Sequence, residues 1–262
     1  MISATAWSAP YEALVAAVRG LVLEVDEGDT VVRTLSAGAR VAEGGIVRAT
    51  TGASATLVLA NGGVITVQPE TDLQLEQMQL DGDASLGSYE PLRPAAANTR
   101  TRLRLDRGEV LGEVKGIRAN SKFEVVTAVG TAGITGTQFR VALTLNPDGT
   151  FTLLITNIEG SVVATLEGQA PVAVPPGSQA TITGSYDSAT GTLSNVSTAT
   201  SEVPADTLEA FAESISSEIE AARESPPVQD APSIQIPLEA SDSEDAQAVQ
   251  SAQINAVIGT AT

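Results

Sequence analysis

Apolar and polar side chains alternate in short runs over most of the chain, a pattern typical of strands with one buried face. The clearest case is the pair of runs at 123–129 and 135–141, which flank three glycines, Gly130, Gly133 and Gly136. Glycine in a strand pattern marks a bend or a close backbone approach. We therefore expect two strands joined by a Gly-rich corner, with that corner buried in a compact β body.

Further strands are predicted on both sides of this stretch, each closed by glycine or a polar turn. Residues 11–18 are dense in apolar side chains without a clear period, so helix and buried strand compete there, and we favour strand. Asn-Gly-Gly at 61–63 and Asn-Pro-Asp-Gly at 146–149 are typical hairpin turns. The other predicted strands are 21–25, 31–35, 40–41, 45–49, 54–59, 64–68, 71–80, 100–105, 109–115, 138–145, 150–157, 162–166, 171–174, 179–183 and 192–196.

Changes in composition divide the chain. Residues 81–98 contain glycine, proline and an alanine run, which indicates a linker loop. The fold class we predict is all-β, an irregular stacked β-sandwich or β-roll of two sequential β units, followed by a mostly helical acidic tail. The predicted parts are an N-terminal arm at 1–17, a first β half at 18–80, the linker, a second β half at 99–198 and the tail at 199–262.

The tail begins with an amphipathic helix, predicted over 204–223. Its apolar residues recur three and four positions apart, which forms one stripe on a helix. The stripe could dock on the chain's own β domain, which we favour, or it could bind a partner. Its candidate contact residues are Leu208, Phe211, Ile215 and Ile219.

Composition excludes several functions. The formal net charge of −18 argues against binding to nucleic acid or to an anionic membrane. The chain has no histidine and no cysteine, so Ser-His-Asp and Cys-His nucleophiles, disulfides and the usual zinc sites are ruled out. No apolar run is long enough to span a membrane. We expect no enzymatic activity, no metal and no cofactor.

The basic residues are concentrated in one place. Arg100, Arg102 and Arg104 alternate with threonine and leucine, so their guanidinium groups should share one strand face. Residues 202–245 are rich in carboxylates. One hypothesis is that this acidic tail, or that of a second copy, lies on the arginine face. The alternative is an ordinary solvated strand face, since a single exposed ion pair contributes only about 0 to 1 kcal/mol.

The stretch 123–141, with the Asp-Gly hairpin at 148–149 and Glu-Gly-Ser-Val at 159–162, resembles the FecR domain family. Residues 18–183 follow the same pattern more loosely. The resemblance implies a periplasmic β domain that receives a signal by protein contact. FecR-type regulators also carry a sigma-factor-controlling segment and a membrane helix, which we do not find here. The motif residues, to which the resemblance assigns a structural role, are Thr127, Gly130, Gly133, Ile134, Gly136, Thr137 and Phe139.

These patterns predict an exported, non-enzymatic module of the cell envelope, periplasmic or extracellular, which contacts a protein partner or further copies of itself. Ala4-Thr5-Ala6 has the small-x-small form of a signal-peptidase site, so the N-terminus could be the remnant of an export signal. The alternative function is a self-assembling structural subunit of an extracellular fibre or surface layer. That alternative would explain the abundance of small residues and any strand edges left open.

Overall fold

The computed structural model describes residues 9–81, 89–115 and 117–224. The predicted export remnant at 4–6 and the tail beyond 224 lie outside the described residues. The first strands are β1 (Ala9–Pro10), β2 (Ala13–Arg19), β3 (Val22–Val25), β4 (Val31–Thr34), β5 (Arg40–Val41), β6 (Ile46–Ala49), β7 (Ser54–Leu59), β8 (Val64–Val67) and β9 (Thr71–Leu80). They are followed by β10 (Thr99–Val114), β11 (Lys122–Thr127), β12 (Gly130–Leu145), β13 (Thr150–Thr165), β14 (Val172–Val174), β15 (Ser178–Asp187), β16 (Thr192–Glu202) and the helix α1 (Ala205–Glu224).

The strands form one continuous, mainly antiparallel network in the order β16-β15-β13-β12-β11-β10-β8-β7-β2-β5. A branch leaves this path at β10 and runs through β9, β6 and β3 to β4. The all-β class with a helical C-terminal addition is therefore confirmed. Strand β16 lies at one end of the path, and strand β4 lies at the end of the branch.

Strand β10 is the centre of this network. Its first half pairs with β9 and, in parallel, with β11, whereas its second half pairs with β8 and β12. The register shifts between Leu105 and Arg107, and Gly108 adopts a φ of 88°. This bulge rotates the strand between its two sets of partners. Strands that precede and follow the predicted linker thus share one sheet.

Two sequence predictions at glycines are wrong. Residues 100–105 and 109–115 are one strand, β10, and residues 150–157 and 162–166 are one strand, β13. At both breaks the glycine has a positive φ, 88° at Gly108 and 91° at Gly160. Each glycine accommodates a bulge within a continuous strand instead of a turn between two strands.

The core lies on one face of this sheet and consists mainly of leucine, valine, isoleucine and alanine. Its largest fully buried side chains are Phe139 and Phe151. Phe139 packs against Phe123 with ring centroids 6.0 Å apart in a tilted arrangement. Tyr11, near the N-terminus, is buried in the same cluster, and its Oη lies 2.5 Å from Thr101 Oγ1. The N-terminal strands are thereby tied to β10.

Helix α1 follows β16 after two residues. Its first turn is set by Pro204, whose carbonyl accepts hydrogen bonds from Thr207 N and Leu208 N, both at 3.0 Å. Asp206 in the first turn and Arg223 in the last turn match the polarity of the helix dipole. The predicted stripe faces the sheet. Within the described residues, no helix has both the length and the apolar content required to cross a membrane.

Candidate interaction surface

The Gly-rich stretch contains a tight turn, but its position differs from the prediction. The turn lies at residues 128–129, between β11 and β12, and the span from Gly130 to Gly136 belongs to β12. Thr127 holds this turn, because its Oγ1 accepts hydrogen bonds from Val129 N (3.2 Å) and Gly130 N (3.0 Å). The prediction of a corner across the three glycines is therefore wrong, since a capped two-residue turn reverses the chain before they begin.

The glycines instead let β12 and β13 approach each other. Gly133 pairs with Val163 on β13. Further along, Gly136 has a φ of 60° and Gly160 a φ of 91°, and the register shifts between Thr135 and Gln138. A Cβ at position 160 would lie 2.4 Å from Gly136 O, a distance that carbon and oxygen cannot adopt. The two glycines thus form a matched bulge across the strand pair.

A buried asparagine completes this bulge. Asn157 on β13 is fully buried, and its Nδ2 donates to Gly160 O (3.1 Å) and Val174 O (2.7 Å). Thr137 Oγ1 donates to Asn157 Oδ1 at 3.0 Å. Sequence reasoning missed Asn157. The available signal was its place in the inward-facing series that begins at Phe151, where an apolar residue is the norm.

Except for the exposed Gly136, the motif residues are consequently packed within the sheet. Ile134 and Phe139 are buried in the core, and Thr127 and Thr137 are buried at its edge by their hydrogen bonds. Gly130 is close-packed too, since a Cβ there would lie 3.2 Å from Leu166 Cγ. None of these side chains is placed to meet a partner. Any recognition surface must lie elsewhere on the molecule.

The arginine row lies on the face of β10 opposite the core. Leu103 and Leu105, which alternate with the arginines, are fully buried. Arg102 Nε lies 2.8 Å from Glu76 Oε2, and Arg104 Nε donates to Asp106 Oδ1 at 2.8 Å. The carboxylates beside these two arginines therefore come from β9 and β10. Arg100, half-buried, begins the row.

The same row borders a polar cleft of about 360 Å³. Arg48 spans it, with Nε and Nη2 donating to Asp72 at 2.7 and 3.0 Å and Nη1 2.6 Å from Asp29. These contacts, above all that with Asp72, raise the pKa of Arg48. Across the described part of the chain, no group of three or more acidic side chains is arranged to hold a metal ion. The cleft is lined by Asp26, Glu27, Asp29, Ile46, Arg48, Asp72, Gln74, Arg104 and Asp106.

Helix α1 covers the other half of that outer face. Ile215, Ile219 and Ala222 are buried in a second apolar cluster with residues of β2, β7, β8 and β10. Phe211 packs at the edge of the cluster, and Leu208 is half-buried nearer the start of the helix. Two of the four predicted contact residues, Ile215 and Ile219, are thus covered by the chain's own sheet. The sheet residues of this cluster are Leu14, Ala16, Val58, Val64, Leu111 and Ile158.

Charged contacts fix the helix in place. Glu218 is buried, accepts a hydrogen bond from Thr56 Oγ1 and pairs with Arg19 at the end of β2. At the other end, the guanidinium of Arg140 lies 5.2 Å from the Phe211 ring centroid. Sequence reasoning missed Glu218, although an acid inside an apolar helical stripe is a signal of a buried ion pair. The docking of α1 is therefore specified by polar as well as apolar contacts.

Strand β16, unlike the sheet face under α1, is mostly exposed. It was predicted over 192–196 and extends to Glu202, because β15 continues to pair with it. Most of its side chains are exposed, and only Leu193 and Val196 pack partly on the core. The strand follows β15 at the end of the sheet path.

Comparison with known proteins gives one family. The model of the family described as FecR protein matches residues 45–170. No curated protein matches the chain. Two crystal structures of a candidate anti-sigma factor from Parabacteroides distasonis ATCC 8503, at 1.65 and 2.50 Å resolution, are similar, with a TM-score of 0.44 and 15% identity. The alignments cover 64% of this chain and 64% and 63% of those chains, less than two thirds of their length. The matched segment contains the whole Gly-Thr motif from Thr127 to Phe139, and residues 45–170 of this chain are accordingly a FecR-family domain.

Proposed function

We propose that this chain is a non-enzymatic module of the cell envelope, exported to the periplasm or beyond, which receives a signal through contact with a protein. The observation that carries the proposal is the FecR family match over residues 45–170. The role in signal reception is what the resemblance to that family implies for this chain. The partner is a protein or a further copy of the chain, and neither nucleic acid nor cofactor takes part.

The geometry supports contact as the mode of action. Most residues of the motif shared with the family pack inside the sheet. Arg102 and Arg104 contact carboxylates of the chain itself, and helix α1 covers the sheet face beneath it. Recognition would therefore use exposed surfaces outside the motif. Among the described strands, β16 is the longest whose side chains are mostly exposed, and most of these are serine and threonine.

Export is tested on the native gene product in its own host. The product carries a C-terminal epitope tag, and protease is added to intact cells, to spheroplasts and to lysed cells. We expect degradation in spheroplasts or in intact cells while a cytoplasmic marker stays intact, and a mature N-terminus that follows the Ala4-Thr5-Ala6 segment. Protection until lysis, or a mature chain that starts at Met1, would contradict export.

A second function, the self-assembling subunit of a fibre or surface layer, is favoured by one observation, the open side of β16 at the end of the sheet. Negative-stain imaging of native material separates the two functions. Regular filaments or lattices would support the structural subunit, and discrete particles would support the signalling module.

A further inference from the structure

Strand β16 has an unused pairing side. Nine of its eleven residues pair with β15, and no described strand lies on its other side. Helix α1, which follows it, packs on β2, β7, β8, β10 and β13 and leaves this edge uncovered. The backbone groups along the edge are free to form a second ladder in the described structure.

The direction of those groups follows from the hydrogen-bond alternation of antiparallel strands. Tyr186 N of β15 donates to Gly149 O at 2.8 Å, so every second residue of β15 from Tyr186 back to Ala180 bonds to β13 and the intervening ones bond to β16. Val203 N donates to Gly177 O at 2.9 Å, which gives the same alternation from the other end. The residues bonded to β15 are Ser197, Ala199 and Ser201, and those that direct N–H and C=O outward are Thr198, Thr200 and Glu202.

Beyond the bulge at Asn195 and Val196, residues 197–201 of this edge lack the usual protection against strand addition. Proteins commonly shield edge strands with charges, proline or short length. Residues 192–201 contain no charged side chain and no proline. The other described strands with a single neighbour, β1, β4, β5 and β14, are only two to four residues long. On β4, a charged residue adds further protection, since Arg33 Nε donates to Glu24 at 2.6 Å.

We propose that β16 pairs with β16 of a second copy, antiparallel about a two-fold axis near Thr198–Thr200. A strand added here must itself be long and nearly uncharged, and among the described strands with an open edge only β16, whose one charged residue is the terminal Glu202, fulfils both conditions. The net charge of −18 makes most other surfaces of two copies repel each other, whereas residues 192–201 of this edge carry no charge. An axis at this position also keeps Glu202 of one copy away from Glu202 of the other, and it places Thr198 opposite Thr200.

The symmetry determines the assembly. Because the same edge is used on both chains, the contact closes after two copies. A fibre would need a second edge of matching length, and the strands β4 and β5 at the other ends of the network do not provide one. The dimer rests on the proposed function in one respect: it identifies the protein partner named there as a second copy of this chain.

The first test compares two substitutions at one outward position. Thr200→Pro removes an outward N–H and blocks strand addition, whereas Thr200→Ala keeps the N–H. The full chain is diluted from about 1 mM to about 1 µM during light scattering, because a contact limited to one strand edge is expected to be weak. We expect wild type and Thr200→Ala to pass from two copies to one, and Thr200→Pro to dissociate at a concentration about tenfold higher or more. Thermal midpoints must agree between the variants.

The second test uses the absence of cysteine from the chain. Single cysteines are placed at Thr198, Ala199, Thr200 and Ser201, with Thr144→Cys as the control, since Thr144 is exposed on β12, a strand with neighbours on both sides. Mild oxidation should crosslink one β16 position most strongly, because a residue on the two-fold axis meets its own copy within disulfide distance.

Three results would overturn the dimer: single copies at every concentration, filaments, or crosslinking no stronger on β16 than at position 144. None of these results bears on the protease and N-terminus experiment, which tests export separately. Failure of export, in turn, would leave the pairing of β16 untouched.

Discussion

Polar groups are oriented in opposite ways in the FecR-matched region, residues 45–170, and on strand β16 of the C-terminal segment, residues 171–224. In the matched region, the hydroxyls of Thr127 and Thr137 and the amide of Asn157 are turned inward, where they satisfy backbone groups of a turn and a bulge. In the C-terminal segment, the serines and threonines of β16 face solvent, and outward backbone groups remain open. The first region uses these groups for internal packing, whereas β16 leaves its own exposed.

The family match therefore indicates a fold and does not identify an interaction surface. The glycines and threonines by which the family is recognised are those that bring β12 and β13 together, so they report a fold. Residues 171–224 lie beyond the match and contain both β16 and α1. The features that distinguish this chain's interactions are thus expected in that segment.

The largest expected effect separates two glycines of the motif. Gly160→Ala should cost about 3 kcal/mol or more of unfolding free energy, because its Cβ would collide with Gly136 O and its φ of 91° is strained for alanine. Gly136→Ala, the matched control, has open space around its Cβ and a φ of 60°, so about 1 kcal/mol is expected. Denaturant unfolding measures both. Equal costs would show that the two strands do not pack closely at the bulge.

A slightly smaller loss is expected at the buried asparagine. Asn157→Leu removes the donor to Gly160 O and Val174 O, and the loss of the part-buried bond at Gly160 together with the buried one at Val174 should cost about 2 to 3 kcal/mol. Asn146→Ala, in the exposed hairpin, should cost less than about 1 kcal/mol. Chemical unfolding of both variants compares them. A neutral Asn157→Leu would mean that the bulge does not depend on this amide.

Much of the fold was predictable from alternation alone. Each β-strand from β2 to β16 overlaps a predicted run, because one buried face imposes a period of two. The errors occur where glycine was interpreted as a strand end. Glycine is common in turns, and only the pairing with a neighbouring strand shows that Gly108 and Gly160 lie in bulges. That information is non-local, so the three strands of sixteen residues, β10, β12 and β13, were each divided or shortened.

The candidate surface was less predictable for the same reason. The apolar stripe of α1 identified the side that docks, but its target, the outer faces of β2, β7, β8 and β10, depends on tertiary arrangement. The arginine row was visible in sequence, whereas its neighbours Glu76 and Asp106 depend on strand register. The sequence also could not show which edge stays open, since that depends on strand order.

Helix α1 provides a test of the C-terminal segment with an intermediate effect. Glu218→Ala leaves Arg19 and Thr56 without their buried partner, and about 2 kcal/mol of docking energy should be lost. Hydrogen exchange within α1 should then become about thirtyfold faster, while β12 and β13 keep their protection. Glu220→Ala, which removes an exposed pair with Arg223, is the control and should change exchange little. Equal loss of protection throughout the sheet would show that α1 is not separable from the matched region.

The smallest expected effect concerns the N-terminal flank. Burial raises the pKa of Tyr11, so the folded chain keeps this phenol protonated at a pH where the unfolded chain loses its proton. Stability should be unaffected below pH of about 10 and should fall above it, by up to about 1.4 kcal/mol per pH unit for this group. Burial raises the pKa of Tyr89 as well, so some alkaline loss remains without Tyr11. In Tyr11→Phe, unfolding free energies measured from pH 8 to 11 should fall less steeply than in wild type, by about 1 kcal/mol at pH 11. Parallel curves would show that Tyr11 is open to solvent and that the N-terminal strands are not part of the core, unlike the matched region they adjoin.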